Sequence, residues 1–348
     1  MEKKNFLKIF LFNILLLFIG IILIEIFFGS WFKKNNFSSL IVKKNITKVW
    51  EPSHYKSDHK AMYKKDSNGF RGDYDNIKQI KIITVGGSTT DERWIDEKLT
   101  LSNLLQEKLS NHLNDKFFKV ANAGVDGQSS KGHIKNFSLW FDKIQNLKPK
   151  YVIFYLGIND AILLLVEIEK HPKFKKTFNT ADNLEEEHSS EKVISYIKNN
   201  SALYNLYKII VGNVIARNYG LIHGTDTWES SYEKKKIDLN LNNTQIKNFL
   251  NDYYSRLLQL KKYSKEKFEA KAIFVTQRVP KNHYLENALN AINKQTKKFC
   301  VDEKVNCFKL DENLILEINV DLYDAFHTRP TGNMKISDYI LSEMVKIL

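Results

Sequence analysis

The chain opens on a run of apolar positions with almost no polar relief. Phe6 to Phe28 is nearly all Phe, Ile and Leu, broken by Lys8, Asn13, Gly20 and Glu25. Roughly 20 such residues cross a bilayer as a helix. A cleaved signal peptide is the rival reading, but its apolar core runs to about 7–15 residues and ends on small residues. Here the run ends in Phe27-Phe28-Gly29-Ser30-Trp31, so an uncleaved single-pass anchor is expected. Trp31 and Phe32 would sit at the interface, with Lys33 and Lys34 beyond it. Lys3, Lys4 and Lys8 flank one end, and Lys33, Lys34, Lys43 and Lys44 the other, so charge leaves the orientation open.

Residues 31 to about 79 show little patterning and read as a stalk. The pattern then changes to short apolar runs alternating with helical spacing. Gln79 to Val85, Phe117 to Ala121, Tyr151 to Leu156, Ala272 to Val275 and Cys307 to Leu310 read as five strands. Leu101, Leu104, Leu105, Leu109 and Leu113 mark a helix at near 3.6 spacing. Further helices are expected over Ile134–Leu147, Ile246–Tyr263 (capped by Asn243 or Thr244), Ala288–Phe299 and Ile336–Leu348. Strands that are apolar throughout, alternating with helices, predict a parallel sheet covered on both faces. The expected layout is an anchor with its flanks over 1–32, a stalk over 33–79 and a folded domain over 80–348. An insertion at about 162–241 interrupts that domain. It carries the acidic run Glu185-Glu186-Glu187 and an expected helix from Glu191 to Asn218. So long an excursion reads as a lid or binding segment rather than idle chain.

Charge adds to the membrane picture. Lys+Arg total 53 against 40 Asp+Glu, a formal +13 over 348 residues. Residues 1–80 carry fourteen basic and seven acidic residues, over half of that excess. A basic flank beside a bilayer accounts for this. A nucleic-acid surface would need basic stripes with interleaved aromatics on the folded part, and none is present, so no nucleic-acid partner is expected. Cys300 and Cys307 are too few for a disulfide framework and lack C-x-x-C spacing. A helix-to-strand turn leaves two alternatives for them, a disulfide or a pair of free thiols. His112, His133, His188, His223 and His283 do not group with carboxylates at ligand spacing, so no metal or other cofactor is expected.

The chemistry-bearing residues fall at the carboxyl ends of the strands, where open parallel sheets place their sites. Strand one is followed by Gly86-Gly87-Ser88-Thr89-Thr90, strand two by Asn122 to Gly127, and strand three by Gly157-Ile158-Asn159-Asp160. Asp324-Ala325-Phe326-His327 precedes the last helix. A serine nucleophile needs a base in reach, and His327 can serve Ser88. Asp324, three residues earlier, can hold the imidazole tautomer. The backbone N–H groups of Ser88 and Gly127 and the Asn159 amide can bind an oxyanion. Each element alone is ordinary: a βα loop, a glycine turn, a helix cap, a surface pair. Their ordered recurrence is what points to acyl transfer from an ester. The serine loop is neither a phosphate-binding P-loop nor a G-x-S-x-G elbow, since no Gly-Lys pair follows and Thr90 replaces the second glycine. Gln277 and Arg329 are candidate substrate contacts.

These four blocks resemble the SGNH/GDSL hydrolases over about Gln79 to Leu348, with the insertion unmatched. The resemblance implies a three-layer α/β/α fold with a parallel, flavodoxin-like five-stranded sheet, here behind an N-terminal transmembrane helix. It implies Ser88 as nucleophile, Gly127 and Asn159 in the oxyanion hole, and Asp324 and His327 as acid and base. The family's G-D-S core reads Gly86-Gly87-Ser88 here, which leans towards a cell-envelope branch. Asn68-Gly69-Phe70-Arg71-Gly72 leans the same way, and read alone is a glycine turn with an exposed arginine of no catalytic role. The expected function is a membrane-tethered serine esterase acting on an acyl, expectedly acetyl, ester of an envelope carbohydrate or lipid, with its domain periplasmic or otherwise extracytoplasmic. The alternatives are an O-acyltransferase fed by a membrane acyl-donor partner, or a non-catalytic anchored glycan-binding protein.

Overall fold

The computed structural model describes residues 2–29, 31, 42, 44–51, 60–169, 197, 200–204, 206–207, 210–211, 214 and 238–348. The expected acidic run at 185–187, most of the insertion and the 33–41 flank lie outside the described residues. The chain divides into two compact units. One holds Leu40–Leu184 with Ile222–Leu348, the other Met1–Ser39 with Glu185–Leu221.

In the first unit, a five-stranded sheet is built from β3 (Ile80–Gly86), β4 (Lys119–Gly124), β5 (Tyr151–Tyr155), β6 (Lys271–Val275) and β7 (Asn306–Phe308). Its order is β4-β3-β5-β6-β7, all neighbours parallel. In sheet order these are the second, first, third, fourth and fifth strands, the flavodoxin-like order expected. The order reverses between β3 and β5, and that reversal point is where such sheets bind ligands. β5 is buried at every residue because helices cover both faces. One layer packs Leu101, Leu105, Leu109, Ile336, Ile340 and Met344 against Ile82, Ile153 and Ile273. These helical residues come from α3 (Leu101–Leu113) and α9 (Pro330–Val345). The other face is covered by α4 (Ser130–Leu139), α5 (Ile158–Glu169), α6 (Thr244–Phe268) and α7 (Glu286–Asp302), with the short α8 (Leu310–Asn313) following β7. Asn243 caps α6 as expected, its side chain accepting from the Gln245 N–H.

Two expectations shift. The helix expected from Ile134 to Leu147 starts at Ser130, where Ser129 caps it, and gives way to a single 3-10 turn, Phe141–Lys143. More consequentially, the stalk's second half is part of the folded domain. Ile46–Trp50 (β1) and Ala61–Lys65 (β2) form an antiparallel hairpin. Phe70 and Arg71 are fully buried, and Arg71 pairs with Asn122 beyond the sheet edge. Phe70 packs on Trp140 and Phe141 at 5.3 and 6.3 Å between ring centroids. The Asp66 carboxylate accepts the N–H groups of Asn68 and Phe70, which fixes the turn between them.

The second unit contains α1 (Glu2–Phe28), whose apolar part, Lys8–Phe28, is long and apolar enough to cross a membrane. A signal sequence meets the same description. Cys300 and Cys307 are both free thiols; a thiol–thiol hydrogen bond, with burial, pushes the Cys300 thiol up.

Candidate active site

Three strand ends and the loop before α9 converge at the reversal point. β3 stops at Gly86, Gly87 caps α2 (Ser88–Asp91), and Ser88 occupies the first helical position. His327 Nε2 lies 2.8 Å from Ser88 Oγ, and His327 Nδ1 lies 2.7 Å from Asp324 Oδ2. The second Asp324 oxygen accepts the N–H groups of Phe326 and His327, at 2.8 and 2.7 Å. The carboxylate therefore fixes both the loop and the ring. Tyr323 stacks on the imidazole, 5.5 Å between centroids at 15°. Arg278 donates to the Ala325 carbonyl and pins the same loop from behind.

The opposite side comes from β4 and β5. Asn159 Nδ2 donates to the Gln128 carbonyl at 2.9 Å, which uses one of its two hydrogens. Gly127 precedes that carbonyl with φ +75°, a conformation that favours glycine. The Gln128 and Asn136 amides bond reciprocally. Next to them, the Ser130 hydroxyl and N–H donate to Asp160, and Arg256 of α6 donates to the Ser130 oxygen at 2.7 Å. Burial raises the Asp160 carboxyl, opposed by Arg256 and the Ser130 bonds. This network ties the Gly127 loop to the start of α5 and so holds Asn159 in place. Gly87 is where the pieces meet most closely. A Cβ there would stand 2.5 Å from Asn159 Nδ2. Glycine in the core motif is thus what lets the amide lie against the Ser88 turn.

A shallow cleft opens over Ser88 and His327, walled by Asp91, Arg93, Trp94, Asp126 and Tyr323. Arg93 pairs with Asp126 at 2.7 Å. Of the expected site residues, Ser88, Asp324 and His327 form one hydrogen-bonded chain, and Asn159 stands beside the Ser88 turn. Gln277 and Arg329 do not line the cleft. Gln277 is 2% exposed and reaches Thr89 Oγ1 at 3.5 Å, while Arg329 Nε donates to the Leu322 carbonyl. Gln277 thus reaches α2, and Arg329 holds the loop before α9.

The structure adds a residue that the sequence reading set aside. Arg71 is fully buried, not exposed, and its guanidinium donates to the carbonyls of Asp91, Glu92 and Ile95 and to Glu97. It lies over the Tyr63 ring, 4.7 Å from the centroid. Lys65 donates to the Gly124 carbonyl and pairs with Asp91, both at 3.0 Å; Tyr63 donates to the same carboxylate. The segment behind β2 therefore clamps the far end of the Ser88 helix. The Asn68–Gly72 motif was the available signal.

The family profile described as GDSL-like Lipase/Acylhydrolase matches residues 82–340, most of the chain and a range that spans all four blocks. The chain belongs to this family. Its members' common chemistry is hydrolysis of acyl esters, and this GDSL-family protein is a hydrolase of that class. No curated protein matches it. Among solved structures, it is similar to the α/β hydrolase LAE5 from the metagenome of Lake Arreo in Spain (12% identity, TM-score 0.44, 77% of this chain and 95% of that one). It is also similar to the lipase/acylhydrolase of Enterococcus faecalis (12%, 0.42, 76% and 95%). A mutant of Axe2, an acetyl-xylooligosaccharide esterase from a Geobacillus, gives 13%, 0.43, 76% and 93%. Against the GDSL pattern, Gly87 replaces the core aspartate, and the cleft-facing serine and the strand-three asparagine are retained.

Proposed function

We propose that the protein is a membrane-tethered serine esterase that removes a short acyl group, acetyl foremost, from a cell-envelope carbohydrate or lipid. One observation carries this: the unbroken chain from Asp324 through His327 to Ser88 at the floor of an open cleft. His327 Nε2 takes the Ser88 proton as Oγ attacks the ester carbonyl, and the Asp324 carboxylate steadies the imidazolium. The oxyanion is met by the Ser88 and Gly127 N–H groups and the second Asn159 amide hydrogen. The imidazolium then returns its proton to the leaving alkoxide, leaving the acyl group on Ser88. Water, deprotonated by His327, repeats the sequence and releases the acid. Cleft walls of Trp94, Tyr323 and the Arg93–Asp126 pair support a sugar-like alcohol and a small acyl group; a long chain would need an apolar slot. Residues 1–32 are the anchor and the sheet domain is extracytoplasmic, where such esters occur.

The test is fluorophosphonate labelling of the full chain in detergent. The expected result is an adduct on Ser88, lost in Ser88→Ala and His327→Ala, with acetyl esters hydrolysed faster than longer ones. A folded wild-type protein that takes no adduct would overturn the mechanism. Acyl transfer to an added sugar in preference to water would make the enzyme a transferase.

A further inference from the structure

Glu25 is the one acidic residue in the apolar run, and an ionisable group at membrane depth normally has a partner. Its partners are in the insertion. The Glu25 carboxylate accepts the Ser201 hydroxyl at 2.7 Å and the N–H groups of Ala202 and Leu203 at 2.9 and 3.2 Å. It also accepts the Trp31 indole N–H at 3.0 Å. Ser201 in turn accepts the Tyr204 N–H, as a cap residue does. Two orphan N–H groups and the positive end of a helix are thus satisfied by a carboxylate from α1. The helical residues described after it are 202–204, 206–207, 210–211 and 214, all in the same compact unit as α1.

That helix carries an apolar stripe. Leu203, Leu206, Tyr207, Ile210 and Val214 recur at i, i+3, i+4, i+7 and i+11, the spacing of one helix face. All five are exposed, four of them by half or more. Ala202, Tyr204 and Val211 are partly covered. Glu25 lies three residues before the end of the span, about 4.5 Å at the helical rise. Its capping bonds fix the start of the second helix at that depth, in the boundary layer between hydrocarbon and headgroups. A helix leaving that layer for water would carry no such stripe.

We infer that this stretch is a second membrane-seated element, running along the bilayer surface with Leu203, Leu206, Tyr207, Ile210 and Val214 turned to lipid and latched to the anchor by Glu25. The inference rests on reading α1 as an anchor. It changes the role of the insertion: the excursion between α5 and α6 returns to the membrane and holds the enzyme there at a second point. A surface helix of this kind adds buried apolar area to a single span.

Photo-crosslinking of the full chain in phosphatidylethanolamine/phosphatidylglycerol vesicles tests it. Phe18, Leu206 and Ile210 are replaced one at a time by p-benzoylphenylalanine, and adducts are identified by mass spectrometry. Lipid adducts at all three positions are expected. Glu25→Leu should reduce the adducts at 206 and 210 at least fivefold and leave that at 18 unchanged. Lipid at 18 with protein adducts, or none, at 206 and 210 would overturn the inference and leave the anchor standing; a second copy or a partner would then cover the face. No lipid at 18 would remove the anchor reading and this one with it. Undiminished adducts at 206 and 210 in Glu25→Leu would overturn the latch.

Discussion

At the scale of single residues, the departure from the family motif is the most informative position. Gly87 leaves no room for a side chain beside the Asn159 amide. Restoring the aspartate, Gly87→Asp, is therefore expected to reduce kcat rather than raise it. The displaced amide would lose its bond to Gln128 and its aim at the oxyanion. Losing one oxyanion donor costs about 10²–10³ in kcat, and Asn159→Ala should show a loss of that size. Steady-state kinetics on an acetyl ester measure both. A Gly87→Asp variant at wild-type rate would show that the amide has other room. The positions of Ser88 and Asn159 were legible in the sequence because each follows an apolar strand, whereas Asp324 and His327 stand on the loop before α9 and were marked only by their three-residue spacing. For Gln277 and Arg329, a position near the same edge says nothing about where a side chain is spent. Here Gln277 reaches Thr89 of α2 and Arg329 is spent on the Leu322 carbonyl.

At the scale of elements, the five strands and most helices follow from period and caps, since a sheet buried on both faces leaves little choice of residue. The failures have physical causes. The first turn of α4, Ser130 to His133, has no apolar period, and only the Ser129 cap marks it. Residues 61–79 look solvated because they carry Lys64, Lys65, Asp66 and Arg71. Charge predicts exposure only where partners are absent, and Arg71 finds three carbonyls and a carboxylate. Arg71→Met should strand those carbonyls and cost about 3 kcal/mol or more, with Arg71→Lys recovering part of it. Urea unfolding followed by tryptophan fluorescence gives the difference, and a loss under about 1 kcal/mol would mean that water replaces the guanidinium. The turn from α7 to β7 makes a separate prediction. With Cys300 and Cys307 as free thiols, reducing agent should leave Tm unchanged. A fall of several degrees would reveal a disulfide.

At the scale of the whole molecule, two buried titratable groups set opposite limits on stability. Glu92 follows the Ser88 helix in a left-handed conformation, φ +48°, and accepts the Leu101 N–H. Burial pushes its carboxyl up from 4.5 to about 8, against the pull of Arg71. Between those values the folded protein holds a proton that the unfolded chain releases, so stability falls as pH rises through the window. Burial raises Asp66 and Glu97 as well, in the same direction. His133 acts oppositely. Burial drops its ring from 6.5 to about 3, so between about 3 and 6.5 the unfolded chain binds a proton that the fold refuses. Stability from this group falls as pH falls. The two windows overlap from 4.5 to 6.5, but above 6.5 His133 is neutral in both states and drops out. A clean measurement therefore lies on the alkaline side. Glu92→Gln keeps an acceptor for Leu101 and removes the charge. Its Tm relative to wild type should rise from pH 6.5 to about 8 and level off above it, while His133→Leu should run parallel to wild type over that range and flatten only the acid limb. If Glu92→Gln tracks wild type throughout, the carboxyl is ionised in the fold, and Arg71 offsets its burial in full.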